Sequence, residues 1–196
     1  MKIFINGHPH FFFKNRSYTP IPLAVLIIYF SQPALPHVLY GLICLGIGEC
    51  IRFWAVSYAG GITRTTNVGA PALCSSGPFA HIRNPLYIGN FFIFSGVVLI
   101  AGAPNIWIML AVTWIFFLTQ YALIIYLEEE TLVSLFGAEY ETYRQHVPRL
   151  LPRFSAWPSD DKRRPMTFMK TLKTEQRTLQ NIVLILLLVI IRQQFV

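Results

Sequence analysis

A polar and aromatic stretch at residues 75–90 lies between two hydrophobic runs and carries the residue types that chemistry needs. Gly77-Pro78 is a turn signal, and Pro85 suits the first turn of a helix. Because the run after Pro85 is almost wholly apolar as far as Ile100, we expect a helix that starts at a membrane surface. Free backbone N–H groups at such a helix start favour an anion or a carboxylate.

Five charged or phenolic side chains are candidates for catalysis on one side of the membrane. Arg83 and Tyr87 lie in this stretch, Glu128 and Glu129 open a run of three glutamates after a hydrophobic segment, and Arg149 lies in a Pro-bounded basic segment. Together they suit a zwitterionic small molecule that carries an ammonium, a carboxylate and an aromatic ring. The alternative is a juxtamembrane loop whose arginine anchors lipid headgroups, followed by a solvated helix on the bilayer surface.

The sequence lacks the motifs that several other reaction classes require. The sequence has no phosphate-binding Gly-Lys-Ser/Thr loop, no His-Glu-x-x-His and no nucleophile elbow. His8 and His10 are two ligands without a third, and the three cysteines show no metal-binding spacing, so we expect no metal site. His81 and His146 stand alone, which favours hydrogen-bonded or interfacial histidines over a general base.

Composition places the chain in a membrane. It is 54% hydrophobic and 13% charged, and its mean hydropathy is +0.50. These values are too apolar for a soluble domain of 196 residues, and they predict one polytopic helical domain. The net charge of +7 does not indicate nucleic acid, because the basic residues flank hydrophobic runs as the topology rule requires. Membrane lipids are the expected partners, and the oligomeric state is left open.

The fold class that we expect is an all-α transmembrane bundle of about five spans. The expected spans are residues 19–35, 37–58, 86–103, 106–127 and 179–191, the last extended by 192–196. The fifth segment is either a span or a helix that lies in the interface. If it spans, only Arg192 among the basic residues falls outside, which places the N-terminus and the active site in the cytoplasm.

The same pattern divides the chain into four parts. They are a cytoplasmic or interfacial segment at 1–18, a membrane core at 19–154, a basic linker at 155–178 and a hydrophobic helix at 179–196. The loop at 59–84 is long enough to build a site rather than only connect two spans. Glu49 and Arg52 stand at i,i+3 in the second span, so we expect them to pair on one helix face.

Two long motifs resemble those of a family of membrane methyltransferases. Gly77-Pro-Phe-Ala-His-Ile-Arg-Asn-Pro-Leu-Tyr-Ile-Gly resembles the G-P-Y-x-x-x-R-H/N-P-x-Y-x-G motif of that family. Glu128-Glu-Glu-Thr-Leu-Val-Ser-Leu-Phe-Gly-Ala-Glu-Tyr-Glu-Thr-Tyr is similar to its second motif, and Arg149-Leu-Leu-Pro to the usual ending. The family includes isoprenylcysteine carboxyl methyltransferase and the phospholipid N-methyltransferases. The resemblance covers roughly residues 40 to 154.

The resemblance implies S-adenosylmethionine as methyl donor and a lipophilic small molecule or lipid as substrate. We expect the protein to lie in a bacterial inner membrane. Glu128 would hold the ammonium group of the donor, and Arg83, Tyr87, Glu129 and Arg149 would complete the catalytic set. The other cofactor-binding positions that it implies are Arg64, Leu73, Cys74, Gly77, Phe79, Asn84, Pro85, Leu86 and Tyr87.

Two positions depart from the carboxyl methyltransferases. Asn84 stands where they have His, and Ile124 stands one turn before Glu128, where they place an Arg that orients the substrate. Without that Arg, the acceptor is open among a carboxylate, an amine, a hydroxyl and a thiol.

Two other classes of protein compete with this interpretation. Membrane sterol reductases have a similar helical core and an Arg-His-Pro-like motif, but they use NADPH, and a cationic pocket for its 2′-phosphate is not evident here. A non-enzymatic membrane scaffold or transporter subunit would bind neither cofactor and would tolerate changes at Tyr87 and Glu128. Saturable binding of one cofactor separates the three.

Overall fold

The computed structural model describes residues 13–60 and 71–195, and these residues are almost entirely helical. The helices are α1 (Ile21–Tyr29), α2 (Leu35–Ala59), α3 (Pro85–Ala101), α4 (Ile106–Phe136), α5 (Ala138–His146) and α6 (Phe168–Arg192), with a 3₁₀ turn at Gly77–Ala80. Within the described ranges there is no β-strand, only an isolated bridge between Gln32 and Gly102. The all-α prediction is confirmed.

Among the described residues, three helices are long and apolar enough to cross a membrane, namely α2, α4 and α6. Helix α3 has 17 residues and α1 has 9. A helix as short as α1 rises about 14 Å, less than half of the hydrocarbon core. The helix expected over 19–35 is therefore much shorter than predicted, because Pro33 has no N–H to donate to the carbonyl of Tyr29, and Pro36 lies in the first turn of α2. The count of five spans stays a prediction.

Helices α2 and α3 touch through their backbones, and glycines make this possible. A Cβ atom added at Gly41 would lie 2.7 Å from the carbonyl oxygen of Gly96, and one at Gly48 would lie 2.7 Å from that of Gly89. Small residues allow such close approach of helices in membranes, where dispersion contacts drive association. This contact places the end of α2 beside the start of α3, where the predicted site begins.

We expect Gly48→Ala to destabilise the protein by about 1–3 kcal/mol, because its methyl group overlaps backbone atoms of α3 that cannot move independently. Gly46→Ala is the matched control on the same helix. Nothing lies within 4 Å of its added Cβ, so it should be neutral or slightly stabilising. Thermal unfolding of both variants in detergent measures the difference, and equal Tm values would contradict the close α2–α3 contact.

Helix α6 begins at Phe168, earlier than the sequence indicated, inside the segment expected to be a basic linker. Thr171 and Glu175, in its first turns, are fully buried. Near the other end of the bundle the side-chain amide of Gln193 donates to the carbonyl of Ser31 at 3.1 Å. The distance along a helix from Glu175 to Gln193 is about 27 Å, so α6 runs the length of the bundle.

Arg52 does not pair with Glu49 as predicted. Its guanidinium forms a two-pronged contact with Glu175 of α6, with Nη2–Oε2 at 2.7 Å and Nε–Oε2 at 3.1 Å, and its Nη1 donates to Asn90 of α3 at 2.5 Å. Oε1 of Glu49 is buried and has no hydrogen-bond partner among the described residues. Glu175 is placed so that its carboxylate accepts from both Nε and Nη2 of Arg52, a two-pronged contact that is stronger than a single local i,i+3 pair.

Candidate active site

Backbone hydrogen bonds fix the loop before α3 against the chain after α5. The amide of Arg83 donates to the carbonyl of Pro148 at 3.0 Å, and the amide of Arg153 donates to the carbonyl of His81 at 3.0 Å. Farther along, the amide of Trp157 donates to the carbonyl of Ala80 at 2.9 Å. Residues 147–157 therefore form a clamp that sets where Arg83 enters the site.

Asp161 ties the start of the loop to the same clamp. Its Oδ2 accepts from the amide of Ser75 at 3.0 Å and from the hydroxyl of Ser76 at 3.1 Å, and its Oδ1 accepts from the amide of Arg163 at 3.0 Å. Burial opposes the charged carboxylate, but these donors and the Arg163 guanidinium outweigh it and lower the pKa of Asp161. Residues 155–167, expected as part of a linker, thus hold the loop in place.

We expect Asp161→Asn to lower the Tm by a few degrees at pH 7. Because the pKa of the folded carboxyl is depressed, its contribution is present above the usual aspartate pKa of about 3.9 and is lost as the pH falls through the lower folded value. Thermal unfolding of wild type and variant from pH 7 down to pH 3 should show the two curves converging. Asp160→Asn, at an exposed position, is the control. A difference that persists undiminished at the lowest pH would contradict the role of the charge.

Three of the predicted catalytic side chains meet in one ionic cluster. Glu129 accepts from Nε of Arg149 at 3.0 Å and from its Nη2 at 2.5 Å, and Nη2 of Arg83 lies 3.3 Å from Oε1 of the same carboxylate. The side chains of Arg83 and Glu129 are 9% and 8% exposed, whereas that of Arg149 is 53% exposed. The Glu129 carboxylate raises the pKa of Arg149, which keeps this guanidinium charged.

Two N–H donors of Arg83 are available to a ligand. Its Nε and Nη1 atoms are buried and have no hydrogen-bond partner among the described residues. Most buried donors in proteins are satisfied, so two unpaired N–H groups on one guanidinium call for an acceptor. A carboxylate oxygen is a suitable acceptor for either of these donors.

Tyr87 and Glu128 form the second part of the site. The Tyr87 hydroxyl donates to Oε2 of Glu128 at 2.9 Å, and Nη1 of Arg16 lies 3.6 Å from its Oε1. The carboxylate of Glu128 already faces a cation in this structure, so it suits an ammonium or sulfonium group. Since Glu128 and Glu129 are consecutive on α4, their side chains point about 100° apart. Glu129 therefore belongs to the ionic cluster with Arg83 and Arg149, and Glu128 faces Tyr87.

Most of the remaining predicted cofactor positions lie around the ionic cluster and the Tyr87–Glu128 pair. Leu73 is packed in a cluster with Tyr140 and Tyr143, and the Tyr143 hydroxyl donates to the carbonyl of Phe79 at 2.7 Å. The side-chain amide of Asn84 donates to the carbonyl of Arg149 at 3.1 Å.

Cys74 and Leu86 are half-buried. Burial raises the pKa of the Cys74 thiol to about 11, so it is not a reactive nucleophile.

Two predicted cofactor positions, Gly77 and Pro85, have clear structural roles, and their contact with a cofactor stays a prediction. Gly77 has a φ of +58°, which a residue with a side chain rarely adopts, and an added Cβ would lie 2.6 Å from the ring of Tyr58. Pro85 is fully buried as the first residue of α3. Arg64 lies outside the described residues.

Arg16 and Tyr121 also contact the site, and the sequence motifs do not include either residue. Arg16 reaches Glu128 from the segment that was expected only to rest on the membrane, and the ring of Tyr121 packs 4.7 Å from that of Tyr87. No motif marks either residue, because both contacts depend on how distant segments fold together. Within the described ranges, no group of three or more His, Cys, Asp or Glu could hold a metal ion.

Comparison with known proteins places this helical membrane bundle in a family. A profile of the phospholipid methyltransferase family matches residues 36–139. The chain belongs to this family.

Curated relatives carry methyltransferase names. The chain is 32% identical over 117 residues to Protein-S-isoprenylcysteine O-methyltransferase of Mus musculus, a match that covers 57% of this chain and 40% of that protein. It is 36% identical over 74 residues to Methanethiol S-methyltransferase of Crocosphaera subtropica, covering 38% of this chain and 27% of that protein. The match therefore spans less than half the length of these relatives. No solved structure matches the chain.

Proposed function

We propose that this protein is an integral membrane methyltransferase that uses S-adenosylmethionine and modifies a lipophilic acceptor. The observation that carries the proposal is a pair of complementary charged groups on neighbouring elements. Glu128 presents a carboxylate to a cation, and Arg83 presents buried N–H groups that lack an acceptor among the described residues. An α-amino acid headgroup carries both of the matching charges. The methyltransferase names of the relatives support the same chemistry.

In this proposal Glu128 and Tyr87 hold the ammonium group of the donor, and Arg83 holds its carboxylate. Glu129 and Arg149 position Arg83 through their ion pairs. S-adenosylmethionine supplies an electrophilic methyl group when it is bound. The work of the protein is then to place the acceptor in line with that methyl group and to exclude water, which gains rate chiefly through proximity and orientation.

The side chains near Glu128 indicate which kind of methyl acceptor the site favours. Ile124 is fully buried, and it lies in an apolar cluster with Leu127 against which Tyr87 packs. No arginine of α4 is available there for a carboxylate, and the surroundings favour an apolar group. The relatives are named for an O-methyltransferase and an S-methyltransferase, so oxygen and sulfur acceptors come first in a search.

The same proposal includes a topology. Helices α2, α4 and α6 meet the length and hydropathy that spans require, and α6 runs the length of the bundle. We place the site end of the bundle, with the clamp at 147–157, on the cytoplasmic side of a bacterial inner membrane, because that end carries most of the basic residues. A reporter fused after Val196 tests this, and a cytoplasmic signal would contradict a C-terminus outside.

Transfer of radiolabelled methyl groups tests the function. Purified protein in nanodiscs would receive S-adenosylmethionine labelled on its methyl group, together with prenylated cysteine, long-chain thiols, alcohols and amines in turn. We expect label in the organic extract with at least one acceptor class. Donor binding without transfer to any class would contradict the proposed acceptors, whereas oxidation of NADPH by the same protein would favour the reductase.

A further inference from the structure

The segment at 13–16 lies inside the proposed site rather than beside it. The ring of Phe13 is 4% exposed and belongs to the cluster with Ile124 and Leu127, against which Tyr87 also packs. This cluster adjoins Glu128, since Ile124 lies one turn before it on α4 and the Tyr87 hydroxyl donates to its carboxylate. An aromatic ring therefore fills the apolar space next to the carboxylate on which the site depends.

Arg16 completes this arrangement. Its guanidinium lies over the Phe13 ring, 4.3 Å from the centroid, and its Nη1 lies 3.6 Å from Oε1 of Glu128. A single segment thus brings one apolar ring and one cation to the places where an apolar acceptor and a cationic donor would each have to bind.

We infer that segment 13–16 is an internal occupant of the substrate site, in which Phe13 holds the acceptor's apolar subsite and Arg16 holds the donor's cation position at Glu128. Binding of donor and acceptor displaces it. This inference rests on the proposed function, because it takes Glu128 as the site of the donor ammonium. It adds a defined apolar subsite, which is bounded by Ile124, Leu127 and Tyr87 and accepts a group of about the size of a phenyl ring.

The ion pairs at the two neighbouring glutamates differ in length and in burial. Glu129 is almost fully buried and is hydrogen-bonded to Arg149 at 2.5 and 3.0 Å. The contact between Arg16 and Glu128 is 3.6 Å long, beyond hydrogen-bond range, and the two side chains are 22% and 27% exposed. Such a partly hydrated ion pair is weak, and a second cation competes with it readily.

Donor affinity in Arg16→Gln tests the inference. If wild type holds the segment in place for most of the time, its apparent Kd is the intrinsic Kd divided by the fraction of sites that are open, so the variant should bind S-adenosylmethionine about 3- to 10-fold more tightly. Lys14→Gln, an exposed cation in the same segment, is the matched control and should leave the Kd unchanged. Calorimetry on protein in nanodiscs measures the Kd of wild type and of both variants.

Hydrogen–deuterium exchange in the wild type gives a second measurement that does not depend on a variant folding. Saturating S-adenosylmethionine should increase exchange in the peptide that contains residues 13–20. An unchanged or weaker affinity in Arg16→Gln, or reduced exchange on donor addition, would overturn the inference and assign Arg16 to the donor site or to the fold. If wild type and both variants all fail to bind the donor, the proposed function itself fails.

Discussion

Replacing Glu128 with Gln should weaken the binding of S-adenosylmethionine by about 10- to 100-fold. The amide keeps the size of the side chain and an oxygen that can accept from Tyr87, but it loses the negative charge. Hydrogen bonds to charged groups contribute roughly 1.5–3 kcal/mol, which is the range of this loss. Isothermal calorimetry on purified protein measures the change directly.

Glu130→Gln is the control for Glu128→Gln. Glu130 stands in the same run of glutamates, but its carboxylate accepts from the exposed hydroxyl of Tyr126 at 2.6 Å and does not contact Tyr87 or Arg16. We expect its donor affinity to equal that of wild type. Equal affinities in both variants and wild type would remove Glu128 from the cofactor site.

Replacing Glu129 with Gln should cost about 3 kcal/mol of folding free energy, the low end for breaking a buried ion pair. The substitution leaves the guanidinium of Arg83, 9% exposed, without its carboxylate partner. Arg149, 53% exposed, can turn into water, so the cost falls mainly on Arg83. Because Arg83 also loses its fixed position, donor binding should weaken together with stability.

An exposed ion pair nearby supplies the comparison for Glu129→Gln. Glu141 lies 2.6 Å from Arg144, with side chains 40% and 42% exposed, so Glu141→Gln should cost less than about 1 kcal/mol. Unfolding of both variants in denaturant gives the two free energies. Similar small losses would mean that Glu129 does not hold a buried charge, and the ionic cluster would lose its role as the support of Arg83.

Much of the site could be predicted because its residues come in two dense motifs at the ends of hydrophobic runs. Arg83 and Tyr87 flank the start of α3, and Glu128 and Glu129 follow the apolar part of α4. Once both runs are helices that end on the same side of a membrane, these residues must lie close together. The structure gives the pairing that the motifs leave open, with Arg149 on Glu129 and Tyr87 on Glu128.

The sequence-based predictions were wrong where a contact joins residues that are far apart in the sequence. Arg52 was assigned to Glu49 by local spacing, but its partner Glu175 lies on α6, whose early start was not visible in a polar, basic stretch. Hydropathy also predicts a span at 19–35, although Pro33, four residues after Tyr29, ends α1 after 9 residues. The contact of Arg16 with Glu128 belongs to the same class, because neither composition nor periodicity reports where a terminal segment folds back.

The most direct test of the central claim is calorimetric titration of the purified, folded protein with S-adenosylmethionine and, separately, with NADPH. We expect saturable binding of S-adenosylmethionine near one equivalent, with a micromolar Kd that rises in Glu128→Gln, and no binding of NADPH. Saturable NADPH binding without S-adenosylmethionine binding would contradict the methyltransferase proposal and favour a reductase. Binding of neither cofactor would favour a non-enzymatic membrane protein.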